Sequence, residues 1–130
     1  RPVAPESNQP GCRIEAPLKQ EVLYTNFADF GQVPSMGRGE GKSLVPMWTG
    51  KHSHWADPAV MTYGRGNHAV RSRRWRYIRY ADGTEELYDH DNDPHEWTNL
   101  AANLEHAEVK AAQRKWLPKE EVKRVPDLRK

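Results

Sequence analysis

The sequence predicts an α+β chain, with four short strands between residues 59 and 89, one helix before them and helical structure after them. Three observations carry this. The strand region is dense in Val, Ile, Tyr, Trp and Thr, residue types that suit a pleated, half-buried surface. Asp82-Gly83 separates two such runs, and Asp-Gly is the strongest short hairpin signal. Leu23, Phe27 and Phe30 recur at helical spacing, as do Val109, Ala112 and Trp116.

The elements follow in order. Residues 1–16 hold three prolines and Gly11 and read as extended loop. A helix is predicted over 17–30: Pro17 suits a first turn, and Gly31 suits a left-handed stop. Residues 31–58 are rich in glycine and carry three prolines, so they read as a long irregular connection around the apolar island Ser43–Trp48. Such a loop is uncommon inside a compact domain and is expected to run over something larger. Strands are predicted at 59–63, 67–72, 75–81 and 84–89, with a two-residue type I′ turn at Asp82-Gly83. Pro94 opens a predicted short helix at 94–101, Asn103 caps another at 104–117, and Pro118 ends it. Between 119 and 124 only Val122 is uncharged, so this tail is expected to fray. The predicted divisions are 1–57, 58–118 and 119–130.

Composition narrows the classes. Hydrophobic residues make up 36% of the 130, which predicts a thin core and surface that needs a partner. Five Trp, five Tyr and two Phe argue against disorder. A net charge of +2 gives no sign of a nucleic-acid or membrane partner, and no apolar run reaches the ~18 residues of a spanning helix. Cys12 is the lone cysteine, so it forms no intrachain disulfide and leaves the redox compartment open. The chain opens on Arg1-Pro2-Val3 without an initiator Met or a signal-peptide pattern, and reads as a processed chain, a gene fragment or an expression piece.

Several constellations bear on chemistry. Arg71, Arg73, Arg74, Arg76 and Arg79 interleave with Trp75, Tyr77 and Tyr80. That pattern can take phosphates and stack bases. The favoured reading is a strand with aromatics on one side and arginines on the other, answered by Glu85, Glu86 and Asp89 on the paired strand. Asp89, Asp91 and Asp93 resemble the start of a calcium loop, but the required glycine and twelfth-position Glu are replaced by Pro94 and Leu100. His52, His54, His90 and His95 lack zinc-site spacing, so no metal ligand is assigned. Gly64-Arg65-Gly66-Asn67-His68 reads as a turn or as a binding loop in which Arg65 and His68 donate to an anion.

Four segments carry a family resemblance. Gly41-Lys42-Ser43-Leu44-Val45-Pro46 is similar to the sulfatase segment G-x-S-L-x-P. Arg71–Ile78 resembles that family's R-x-x-R-(W/Y)-(R/K)-Y-I strand. Glu86–Asp89 with Asp93–Leu100 resembles E-L-Y-D-x-x-x-D-P-x-E-x-x-N-L. Leu23–Gly31 is similar to the preceding helix D-x-x-P-T-L-x-x-x-x-G, with Thr25-Asn26 in place of proline-threonine. The resemblance spans about residues 14–117 and points to the C-terminal portion of a sulfatase, iduronate-2-sulfatase-like, in the alkaline-phosphatase-like superfamily.

The resemblance implies a small four-stranded antiparallel sheet with a packed C-terminal helix, preceded by a helix and long loop that end a larger α/β catalytic domain. It implies hydrolysis of sulfate esters, on sulfated carbohydrates, by a formylglycine made within C/S-x-P-x-R and a calcium ion held by Asp and Asn. Cys12 is followed by Arg13-Ile14-Glu15-Ala16, and the DDxRPD-type ligands are absent. No catalytic or metal residue is therefore carried over, and the chain alone is expected to be inactive. The implied partners are the catalytic domain and a sulfated saccharide touched by Arg65 and His68, in a secreted, periplasmic or lysosomal setting. The alternatives are an anion-binding module using the arginine strand for nucleic acid or sulfated polysaccharide, and a decayed reading frame.

Overall fold

The computed structural model describes residues 17–19, 21–34, 41–48 and 55–121. The predicted loop 1–16 with Cys12, the pair His52 and His54, and the tail past Glu121 lie outside the described residues. The chain divides into two compact units, residues 1–57 and 58–130.

The first unit holds α1 (Val22–Phe30) and the single-turn α2 (Val45–Trp48). Gly31 does not take the left-handed role expected of it. It sits at φ −77, and the positive φ falls on Gln32, at 51°. The amide of Val33 donates to Ala28 O at 2.9 Å, closing the helix end by the six-to-one bond of a Schellman cap. The motif at 41–46 also acquires a cause here. A Cβ on Gly41 would lie 2.5 Å from Glu21 O, so only glycine allows this approach. Buried Asn26 accepts from the Leu44 amide at 2.6 Å and from Ser43 Oγ at 3.3 Å, and Ser43 Oγ accepts from the amide of Val45, the first residue of α2. The predicted stripe Leu23, Phe27 and Phe30 is exposed, with Phe27 at 72%. The buried side of α1 is Val22 and Asn26 instead.

The second unit is a four-stranded antiparallel sheet in the order β1 (Ala59–Thr62), β2 (His68–Arg71), β3 (Trp75–Arg79), β4 (Glu85–Asp89). Val60, Val70, Tyr77 and Leu87 are register partners and form a row across all four strands. Val70, Tyr77 and Leu87 are fully buried, each stabilising the fold by roughly 1.5–3 kcal/mol. Leu117, Val109, Leu100, Ala101 and Trp75 complete that core.

The β3–β4 turn is not the two-residue type I′ turn predicted. The Tyr80 amide donates to Thr84 O at 2.9 Å and the Gly83 amide to Tyr80 O at 3.0 Å, leaving a three-residue loop Ala81–Gly83. Gly83 alone in that loop takes positive φ, at 88°. Asp82 instead accepts from the amide and hydroxyl of Thr84, at 2.9 and 2.7 Å, which a left-handed Asp is not needed to do.

The predicted helix at 94–101 is absent, because this segment covers the sheet edge. Asn99 Oδ1 accepts from the Leu87 amide at 3.0 Å, and the Leu100 amide donates to Leu87 O at 2.8 Å. These bonds satisfy backbone groups that the outer strand β4 would otherwise leave open, which outweighs helix propensity. The chain then forms a 3₁₀ turn at Leu104–His106, capped by Asn103 as predicted, and α3 (Ala107–Arg114). The packed face is Val109, Gln113 and Leu117 rather than Val109, Ala112 and Trp116; Ala112 and Trp116 are exposed. Gln113 is polar and so lies outside an apolar-periodicity pattern, yet its Nε2 donates to Ser72 Oγ at 3.2 Å.

Candidate functional site

Three of the arginines around β3, Arg74, Arg76 and Arg79, are paired with carboxylates. Arg74 makes a bidentate pair with buried Asp89, at 2.7 and 2.6 Å, and lies over the Trp75 ring at 4.8 Å. Hydrogen bonds from Arg74 hold the Asp89 carboxyl well below the usual range. Asp89 also accepts from Asn92 Nδ2 at 2.7 Å and the Asp91 amide at 3.2 Å. Arg76 pairs with Glu96 at 2.7 Å, and His90 meets the other Glu96 oxygen at 2.6 Å. Glu96 is held at φ 59, a conformation a non-glycine residue rarely takes without such anchors. Only Asp89 of the three expected cross-strand acids answers an arginine of this run; Asp91, Glu96 and Glu121 supply further pairs to Arg74, Arg76 and Arg79 from beyond β4.

Glu85 turns the opposite way, toward α3. It accepts from the Tyr77 hydroxyl, Arg114 and, at 3.1 Å, Lys110. Burial opposes its charge, but the hydrogen bonds from Tyr77, Arg114 and Lys110 outweigh it and bring its pKa to about 2. These arrangements engage Arg74, Arg76 and Arg79, while Arg73 is exposed and one buried nitrogen of Arg71 has no hydrogen-bond partner.

The Gly64–His68 loop is different. Gly64 and Gly66 take φ of 70° and 79°, so the β1–β2 connection turns tightly and presents backbone N–H groups. A Cβ on Gly66 would lie 3.0 Å from Ala81 Cβ. Asn67 ties the loop to the neighbouring hairpin by accepting from the Ala81 amide at 3.1 Å. The two predicted binding residues sit differently. Arg65 is exposed, at the mouth of two adjoining clefts of about 510 and 360 Å³. His68 is 2% exposed and partnered at both ring nitrogens, with Thr62 Oγ1 at 2.9 Å and Glu121 Oε1 at 2.7 Å.

Glu121 is the residue sequence reasoning missed. It falls in the tail expected to fray, yet it accepts from the Gly66 amide at 3.1 Å, from His68, and stands 3.5 Å from Arg79. The hydrogen bond from His68, with that from Gly66, lowers the Glu121 carboxyl below its ordinary value. No local sequence pattern announces a contact spanning more than fifty residues. Among the described residues no group of three or more His, Cys, Asp or Glu could hold a metal ion.

Comparison with known proteins follows the same lines. Over 109 residues the chain is 38% identical to a sulfatase of Formosa agariphila, covering 84% of this chain and 22% of that protein. This chain is a sulfatase homologue. It is 29% identical over 106 residues to arylsulfatase K of Danio rerio, covering 72% of this chain and 20% of that one. A solved 2-O GAG sulfatase superposes with a TM-score of 0.64 at 26% identity, covering 72% of this chain and 22% of its own. No family model matches. The chain thus spans about a fifth of the relatives it matches, and the expected α+β architecture of sheet and C-terminal helix is present.

Proposed function

We propose that the chain is the C-terminal portion of a sulfuric ester hydrolase acting on sulfated carbohydrates, and that it lines the substrate cleft without performing the chemistry. The observation that carries this reading is the match of 84% of the chain to 22% of a sulfatase. The similarity to a 2-O GAG sulfatase supports a carbohydrate sulfate as the substrate class. The nucleophile, the calcium site and the formylglycine would then lie in the larger catalytic domain, the natural partner. The absence of C/S-x-P-x-R from the 130 residues supports that division.

Within this portion Arg65 contacts the sulfated sugar directly. His68 serves from beneath, since its buried ring fixes the loop that carries Arg65. An exposed guanidinium on a tightly turned loop can donate two parallel hydrogen bonds to a sulfate ester.

The test uses the purified chain. It should turn over no aryl sulfate, yet bind a sulfated disaccharide in titration calorimetry more tightly than the unsulfated sugar, with Arg65→Ala removing the difference. Aryl sulfate turnover would overturn the non-catalytic assignment. Equal affinity for sulfated and unsulfated sugar would overturn the substrate class.

A further inference from the structure

We propose that the Gly64–His68 loop is an anion-binding site for a sulfate-ester group, and that Glu121 fills it as an internal stand-in which a sulfated ligand displaces. The proposal deepens the functional reading above and rests on it for the identity of the sugar.

The site is built before any ligand is considered. The Gly66 N–H, the buried His68 ring and the Arg79 guanidinium converge on one point, and at that point sits a carboxylate. A carboxylate accepts only, so His68 must donate through Nε2, and its Nδ1 is then free to accept from the Thr62 hydroxyl. Thr62 therefore sets the ring so that a proton faces the anion. A sulfate ester has the same needs as a carboxylate: negative charge and acceptor oxygens. It would meet the same three donors, with Arg65 at the cleft mouth as a fourth.

Glu121 also divides the surrounding space. The cleft of about 510 Å³ is lined by Arg65, Gly66, Arg79 and Glu121 among others, and the cleft of about 360 Å³ by Thr62, Arg65, His68 and Glu121. Arg65 and Glu121 are common to both. Withdrawal of the Glu121 side chain would join the two into one groove with the donors in its floor.

Glu121 is suited to leaving. Its side chain is 29% exposed, it follows the bend at Lys119 and Glu120, and the carboxylate ties it to the sheet through Gly66, His68 and Arg79. A covering group of this kind lowers apparent affinity by the fraction of time the site is open, so a site open about a tenth of the time binds ~10-fold more weakly than a free one.

The experiment titrates the full chain, Glu121→Ala and Glu121→Gln with inorganic sulfate and with a sulfated disaccharide, by calorimetry and by the NMR signals of the His68 ring. Glu121→Ala should bind both anions at least ~10-fold more tightly than the unaltered chain, with the His68 signals moving. Glu121→Gln, which keeps shape and loses charge, should fall between, and it serves should the alanine variant fail to fold. Folded variants with no gain for either anion would overturn the proposal. A gain for inorganic sulfate without disaccharide binding would support the stand-in and remove the saccharide reading. Equal disaccharide affinity in all three proteins, with His68 unmoved, would overturn the stand-in and leave the saccharide reading intact.

Discussion

Substituting Glu85→Gln should destabilise the second unit by about 2 kcal/mol near neutral pH. Glu85 has a side chain 14% exposed, with Tyr77, Arg114 and Lys110 as donors. Its pKa falls from 4.5 to about 2, and each unit is worth about 1.4 kcal/mol, so the full shift corresponds to roughly 3 kcal/mol. Arg114 is 51% exposed, and solvent screening there brings the expected loss down to about 2 kcal/mol. The sign is fixed by the direction of the shift. A carboxyl whose folded pKa is depressed stabilises the fold fully above its unfolded value, here 4.5, and loses that contribution as pH falls toward 2. For a unit of this size about 2 kcal/mol corresponds to a fall in Tm of roughly 8–16 °C. Thermal unfolding followed by circular dichroism at pH 7 and pH 3 reads both effects: the unaltered chain should lose stability between these pH values, and Glu85→Gln should lose less of it. A variant with unchanged Tm at pH 7 would refute the reasoning, because the Tyr77 and Arg114 contacts would then be worth nothing net.

Other perturbations address the core and the loop. Leu87→Ala, at a fully buried position, should cost about 2–5 kcal/mol in chemical denaturation. Gly66→Ala should destabilise by about 1–3 kcal/mol, from its φ of 79° and the 3.0 Å approach to Ala81, and should weaken sulfated-sugar binding with it. Arg65→Ala should leave Tm unchanged within error while binding of a sulfated disaccharide falls. Asp89→Asn should lower Tm even at high salt, since its bidentate pair with Arg74 is buried on the carboxylate side.

The sheet was legible because its signals are local. Alternating β-formers placed all four strands to within about two residues, an accuracy that period-two patterns support when strands are short and neighbours pair in sequence order. The loop at Asp82-Gly83 was placed correctly and typed wrongly: both a two-residue and a three-residue hairpin want glycine at the left-handed position, and only hydrogen-bond register separates them. The segment 94–101 failed for a tertiary reason. Its Asn99 and Leu100 answer the open edge of β4, and nothing in the local sequence records that demand. In the site, the paired glycines marked the loop, but Glu121 was out of reach for the same cause. Arg65 and His68 were grouped by chemistry alone, and burial then separated the exposed guanidinium from the enclosed ring.

The exposed stripe of α1 is likewise set by something beyond local sequence. Leu23, Phe27 and Phe30 have the spacing of a core-facing helix, yet Leu23 and Phe27 are more than half exposed, beside exposed Tyr24 and Val33. Local packing is not short of partners, since Asn26 on the other side of α1 is engaged by Ser43 and Leu44. Periodicity reports the burial a helix has in the whole polypeptide that selected it. On the proposed reading the surface that buries this stripe is the catalytic domain. The second unit carries exposed apolar residues as well, Tyr63, Trp97 and Leu104 among them, so on that reading both units present surface that such a domain can cover.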